Sequence, residues 1–255
     1  MNRPIALTRT LSPRLSECEL THLNREPIDI NKAVDQHHQY ENALKKMGYS
    51  IRRLPETPAL PDGVFVEDTA VVLDELAIIT RPGAKSRRPE TESMAEVLKE
   101  YRELHFIKNP GTIDGGDVLV LGKNVYIGIS QRTNREAIRQ FGQILKPHGY
   151  KVHGIEVTDC LHLKTALAPL EDDLLLINPD WVDGEVFEGY QTISIHPDEP
   201  YGANVMRRGN WALCPEAFPR TADLLADRGY DVITVDQSEM AKAEAGLTCC
   251  SVIVE

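Results

Sequence analysis

The sequence predicts a mixed α/β fold assembled from repeated units, and three observations carry that expectation. Short apolar runs come in pairs across tight polar turns, the patterning of hairpins. After three of these pairs comes a stretch with helical spacing of its apolar residues, and then another short apolar run. The hairpin turns fall at about residues 75, 123, 172 and 209, a recurrence of roughly 40–50 residues that marks a repeat architecture. Strand-rich units of that size suggest propeller blades. A cyclic arrangement would bring the C-terminal strand beside the first unit and gather distant residues around a central channel. An ordinary α/β domain carrying hairpins accounts for the periodicity equally well.

Taken in order, the first unit is incomplete at its start. It holds a helix over Ile30–Met47, stopped by Gly48, and the strand Ile51–Leu54. In the second, Val71–Leu73 turns at Asp74-Glu75 into Leu76–Ile79. A helix over Glu90–Leu104 then places Met94, Val97, Leu98 and Tyr101 on one side, and the run His105–Ile107 follows. The third has Val118–Leu121 turning into Val125–Gly128, a helix over Asn134–Lys146 with Ala137, Ile138, Phe141 and Leu145 inward, and Tyr150–Val152. The fourth hairpin is Leu167–Leu170 with Leu174–Ile177. The fifth is Ala203–Met206 with Trp211–Leu213, followed by a helix over Glu216–Arg228 that ends at Gly229, and by Tyr230–Val235. A last apolar strand closes the chain after Cys249-Cys250.

A length of 255 residues suits one large domain or two small ones, with a sizeable core in either case. No stretch approaches the ~20 apolar residues that cross a bilayer. The N-terminus reaches Arg9 before any apolar signal region forms, so no secretory leader is expected. The five cysteines, at 18, 160, 214, 249 and 250, have no CxxC spacing, which argues against a disulfide framework and a structural zinc site. A reducing cytoplasm is the expected location. The net charge of −11 argues against nucleic acid or an anionic membrane as partner and is compatible with a cationic substrate.

The polar loops between units are where a rigid scaffold carries chemistry. Asp62 and Asp68 are six apart, so in an extended strand both face one way and could grip a guanidinium; a solvated turn is the plain alternative. The basic loop Arg81–Arg88 is a solvated helix entry or a carboxylate clamp. Thr112–Asp117 is a glycine turn into a strand, and Ser130–Asn134 a helix start with a Thr or Asn cap that leaves Arg132 as a surface cation. His162, between leucines, is a structural histidine or a catalyst that needs a partner to orient its ring. Cys249 and Cys250 pack the final strand, or one of them is a nucleophile with His162 as its proton carrier.

Each plain alternative survives alone, but the motifs occur together. FVED at 65–68, ITRPGAKSRR at 79–88, DGGD at 114–117, RTN at 132–134, HLKT at 162–165 and LTCCS at 247–251 follow one another in this order. The set resembles the dimethylarginine dimethylaminohydrolase (dimethylargininase) family and, more distantly, the arginine deiminase and amidinotransferase superfamily. The resemblance covers essentially the whole chain and implies a single catalytic domain, 1–255. It also implies a five-bladed α/β propeller of ββαβ units with a guanidine-modifying site in its central channel. Cys249 matches the family nucleophile, His162 the general acid/base, and Asp114 an acidic residue near that histidine, which is Glu in some members. Asp62, Glu67 and Asp68 match residues around the guanidinium end of the substrate, and Arg87 and Arg132 ligands of its carboxylate end. Leu20 and Ala243 align with positions whose backbone carbonyls meet the α-amine. Cys250 matches a cysteine present in only some members and is expected to be structural.

The implied reaction is hydrolysis of Nω-methylated arginines to citrulline and a methylamine. The thiolate of Cys249 attacks the guanidinium carbon, leaving a covalent thiouronium that His162 helps water to resolve. No metal or organic cofactor is expected, although Cys249 with His162 is a pair able to take zinc as an inhibitor. The expected partner is a small cationic guanidino amino acid, with neither nucleic acid nor membrane involved and a homodimer left open. Two alternatives remain. One is an arginine deiminase-like hydrolase of unmethylated arginine, disfavoured because the chain has no room for that group's extra helical insertion. The other is an inactive guanidine-binding protein.

Overall fold

The computed structural model describes residues 3–255, and among them fifteen strands form five three-stranded sheets. The first sheet is built on β1 (Ile5–Thr8), followed by helix α1 (Ile30–Lys46) and β2 (Ser50–Arg53). Next come β3 (Ala70–Val72), β4 (Leu76–Ile79), α2 (Glu90–Leu98) and β5 (Glu103–Phe106). The third unit is β6 (Val118–Leu121), β7 (Asn124–Ile129), α3 (Arg135–Leu145) and β8 (Lys151–Glu156). The fourth opens with the one-turn helix α4 (Leu163–Ala166), followed by β9 (Leu167–Glu171), β10 (Leu174–Ile177) and β11 (Gln191–Ser194). The fifth is β12 (Met206–Arg208), β13 (Trp211–Pro215), α5 (Pro219–Asp227) and β14 (Asp231–Val235). The chain then passes through α6 (Ser238–Ala241) into β15 (Val252–Val254), which returns to the first unit.

Every sheet has one pattern: an antiparallel pair, then a third strand parallel to the second. In the second unit Val71 faces Ile78 across the hairpin and Ile78 faces His105 across the parallel pair. In the first, β15 supplies the missing hairpin partner, with Ile5 opposite Val254 and, on the other side, opposite Ser50. The unit that is incomplete in sequence is completed by the end of the chain.

The core is divided among five apolar clusters, each filled from two neighbouring sheets. Leu7, Val252 and Ala77 join units one and two, and Ile78, Val118 and Phe141 join two and three. Leu119, Leu167 and Leu175 join three and four, Leu176, Ala168 and Ala212 join four and five, and Leu213, Leu44 and Ala6 join five back to one. The molecule is therefore the five-bladed α/β propeller expected. Successive strand residues such as Val118 and Leu119, or Leu175 and Leu176, point into opposite interfaces. Both strand faces are buried, which explains continuous apolar runs where a half-exposed strand would alternate. Full burial of Leu175 and of Leu176 contributes roughly 1.5–3 kcal/mol each.

Local signals place the helices. The Asp29 side chain caps α1 by accepting from Lys32 N, and Asn134 caps α3 by accepting from Ala137 N. Gly48, Gly149 and Gly229 take left-handed φ after α1, α3 and α5, where a side chain would be strained. Three expectations need correction. Helix α2 stops at Leu98, because Glu103–Phe106 pairs with β4 and carries Leu104 into the interface as a strand. Helix α5 starts at Pro219, a first-turn proline, and not at Glu216. Strand β12 starts at Met206, because residues 203–205 form a buried turn. No helix among the described residues is long and apolar enough to cross a membrane.

Candidate active site

The first strand of each hairpin is entered through a short turn, and the five turns converge. They are Val66–Thr69 before β3, Gly115–Asp117 before β6, α4 before β9, residues 203–205 before β12 and Thr248–Cys250 before β15. Hydrogen bonds link them in a closed ring. Thr248 Oγ1 donates to Glu67 Oε2 at 2.7 Å, Gly116 N to Asp68 Oδ1 at 2.9 Å, and Leu163 N to Asp117 Oδ1 at 3.0 Å. Asn204 completes the circuit: its Nδ2 donates to Lys164 O at 2.6 Å and its Oδ1 accepts from Thr248 N at 3.2 Å. Lys164 Nζ also meets Glu67 Oε1 at 2.6 Å.

His162 is buried immediately before α4, with extended backbone. Its Nε2 lies 3.2 Å from Asp114 Oδ2 and its Nδ1 3.9 Å from Asp68 Oδ1. Gly116 permits this approach: a Cβ there would lie 2.6 Å from Nδ1 and 2.9 Å from Asp68 Oδ1. Burial pushes the imidazole pKa down, but the carboxylates of Asp68, Asp117 and Asp114 outweigh it and bring it up to about 9. Asp68 is held far below the usual carboxylate range, because His162 and Arg87 together outweigh its burial.

Cys249 is partly exposed, and its Sγ accepts from Gly246 N at 3.3 Å. Burial, then the carboxylates of Glu67 and Asp68, push its thiol far above the ordinary value, and the Gly246 N–H offsets this only in part. Without a cation beside it, Cys249 is held as a thiol in the cavity that His162 also lines. Cys250 is fully buried in the apolar cluster between units five and one.

A small cavity of about 20 Å³ is lined by Asp62, Asp68, Arg87, Arg132, His162, Ala243 and Cys249. Three predicted residues lie outside this lining. Asp114 supports His162, Glu67 is held by Lys164 and Thr248, and Leu20 lines a neighbouring open cleft with Thr21 and Arg132. Both oxygens of Asp62 accept from Glu19 N at 3.2 Å, and burial raises its pKa. Arg132 donates from Nη2 to Thr21 Oγ1 at 2.8 Å, and its Nη1 lies 3.7 Å from Asp114. Arg87 is more committed than a paired carboxylate clamp suggests. It donates to Asp68 at 2.6 Å, to Phe65 O at 2.9 Å and to Glu90 through both Nε and Nη2. One of its five N–H groups is left for the cavity.

Two participants carry no sequence signal. Asn204 is a single amide in a turn, recognisable only once the ring is assembled. Glu244, at φ +58°, lines the cavity and offers its carboxylate to the backbone N–H groups of Thr21, His22 and Leu23, fixing that loop. Lys164 was within the HLKT motif, and its Glu67 partner was in FVED. For a cation, Asp68, Asp114 and His162 offer ligand atoms within 4.8 Å of one another. The same carboxylate oxygens already accept from Arg87, Gly116 N, Gly83 N and His162, an arrangement suited to handling protons.

The family profile described as N,N dimethylarginine dimethylhydrolase, eukaryotic, matches residues 19–185. The N(G),N(G)-dimethylarginine dimethylaminohydrolase of Pseudomonas aeruginosa is 40% identical over 225 residues, covering 88% of this chain and 89% of that protein. The chain belongs to the dimethylarginine dimethylaminohydrolase family. The Streptomyces coelicolor member is 37% identical over 97% of this chain and 95% of its own length. A solved structure of the P. aeruginosa family member, a cysteine-to-serine mutant complexed with citrulline, superposes with a TM-score of 0.94 at 37% identity, covering 100% of both chains. The N-terminal domain of ArgZ, a cyanobacterial arginine dihydrolase bound to product, superposes with a TM-score of 0.86 over 100% of this chain and 98% of that one. At 18% identity it shares the fold.

Proposed function

We propose that this chain hydrolyses Nω-methylated arginines, dimethylarginine and monomethylarginine, to citrulline and a methylamine. The observation that carries the reading is one cavity shared by a thiol, an imidazolium, the carboxylates of Asp62 and Asp68 and two arginines, in a chain of this family. The substrate guanidinium supplies the positive charge that Cys249 lacks and favours its thiolate, the thiol proton passing to solvent as substrate binds. Asp62 and Asp68 hold the guanidinium nitrogens and present the carbon for attack. Arg132 takes the α-carboxylate, with Arg87 contributing its one free N–H, and the carbonyls of Leu20 and Ala243 receive the α-amine.

The sulfur of Cys249 bonds to the guanidinium carbon, and the C–N bond to the methylated nitrogen breaks as that nitrogen takes a proton from His162. Nδ1 is the working atom, since Nε2–H is engaged by Asp114. The neutral imidazole then takes a proton from water as its oxygen adds to the thiouronium carbon. Cleavage of the bond between Cys249 sulfur and that carbon, with the hydroxyl proton lost to solvent, releases citrulline and regenerates the thiolate. Residues 1–255 act as one catalytic domain, since every blade supplies a turn to the ring that carries these groups. Five free cysteines suit a reducing cytoplasm. A citrulline-release assay across dimethylarginine, monomethylarginine and arginine tests the reading. Turnover of arginine alone would replace it with a deiminase.

A further inference from the structure

The DGGD turn contains a second aspartate, Asp117, to which the chemistry above gives no contact with substrate. Asp117 is completely buried and is absent from the cavity lining. Its Oδ2 accepts from Ser130 Oγ at 2.7 Å and from Thr133 Oγ1 at 2.6 Å, while its Oδ1 accepts from Leu163 N at 3.0 Å. Among the described residues no lysine or arginine pairs with it, and it lies so close to β7 that a Cβ on Gly128 would come within 2.7 Å of Oδ1.

The two hydroxyls it receives are themselves acceptors. Ser130 Oγ accepts from Arg132 N at 3.1 Å and from Thr133 N at 3.2 Å, and Thr133 Oγ1 accepts from Asp114 N at 3.2 Å. Ser130 thus has both lone pairs occupied and can meet residue 117 only as a donor. An obligatory acceptor at 117 aims the hydroxyls so that their lone pairs face the backbone of Arg132 and Asp114. The remaining oxygen holds the residue after His162.

We infer that Asp117 is a positioning residue for this reaction: one buried carboxylate registers the backbone of the acid/base His162, its partner Asp114 and the carboxylate ligand Arg132, without touching substrate. The inference rests on the proposed function for its kinetic consequences, but the placement of the His162 turn is independent of turnover.

Asp117→Asn keeps the volume and offers one oxygen and one NH2 group. Whichever way the amide turns, a donor faces either Leu163 N or the fully accepting Ser130 hydroxyl, so one arm of the hub is lost. With dimethylarginine, we expect D117N to lower kcat at least about tenfold and Ser130→Ala to raise KM at least about fivefold. The double variant should lose less than the product of the two losses, because both act through one hub. In an NMR titration of the His162 imidazole, D117N should move the midpoint down by at least about one pH unit. Kinetic constants within twofold of wild type, multiplicative losses, or an unmoved imidazole midpoint each overturn the inference. If D117N does not fold, S130A and Thr133→Val decide: unchanged KM in both overturns it. A wild-type protein that releases no citrulline overturns the proposed function instead, and the imidazole titration still judges Asp117.

Discussion

Nε2 of His162 lies 3.2 Å from Oδ2 of Asp114, so the aspartate side chain is long enough to reach the ring. A carboxylate at that distance sets the tautomer and stabilises the imidazolium. Asp114→Asn should therefore lower kcat by about ten- to a hundredfold with KM little changed. Steady-state citrulline release checks it, and equal activity would remove Asp114 from the acid–base pair.

The two adjacent cysteines should separate cleanly. Cys249→Ser should abolish citrulline release while calorimetry still detects binding of dimethylarginine. Cys250→Ala, in the apolar cluster between units five and one, should retain turnover and lose about 1–2 kcal/mol of stability. The reverse pattern would move the nucleophile one residue along.

The raised His162 pKa has a defined sign. The imidazole gains stability from its carboxylate neighbours only when protonated. Its contribution is fully present below the ordinary value of 6.5 and is lost as pH rises through about 9. The shift corresponds to about 3 kcal/mol. Urea midpoints measured from pH 6 to pH 10 should fall over that window, and His162→Gln should remove that part of the slope. The general acid is also lost there, so kcat should decline through the same pH range.

Arg132 sits at the edge shared by the cavity and the open cleft beside Leu20. Arg132→Ala should weaken dimethylarginine, which has a carboxylate, at least about tenfold more than the decarboxylated guanidine agmatine. Equal losses in competition assays would take the carboxylate role from Arg132.

Gly116→Ala inserts a methyl 2.6 Å from His162 Nδ1 and 2.9 Å from Asp68 Oδ1. Displacing either group breaks the ring of turns, so activity should fall more than a hundredfold and the melting temperature by several degrees. A fully active G116A protein would show that the imidazole can occupy another position.

Much of the site was legible before any coordinates, because its parts lie in short motifs whose order survives in the chain. FVED, DGGD, HLKT and LTCCS each enter the first strand of a hairpin, which is why one motif recurs in each of four blades, and only the turn before β12 has none. The first blade was hidden because its hairpin is split between Ile5–Thr8 and Val252–Val254. Asn204 and Glu244 escaped notice since an isolated amide or carboxylate acquires a role only from partners distant in sequence, Thr248 and Lys164 for one, Thr21–Leu23 for the other. The end of α2 was misjudged because Tyr101 and Leu104 continue a helical spacing while packing into the interface from a turn and a strand.

Strand β15 begins three residues after Cys249 and is the partner that β1 lacks until residues 252–254 are made. During synthesis the N-terminal strand emerges first and waits through four complete blades. The sulfur reaches its carboxylate neighbours by the same docking event that pairs Val252–Val254 with Ile5–Thr8. A nascent chain stalled before that point has the histidine and the acidic groups but no nucleophile among them. Completion of the fold and the onset of reactivity thus coincide in time.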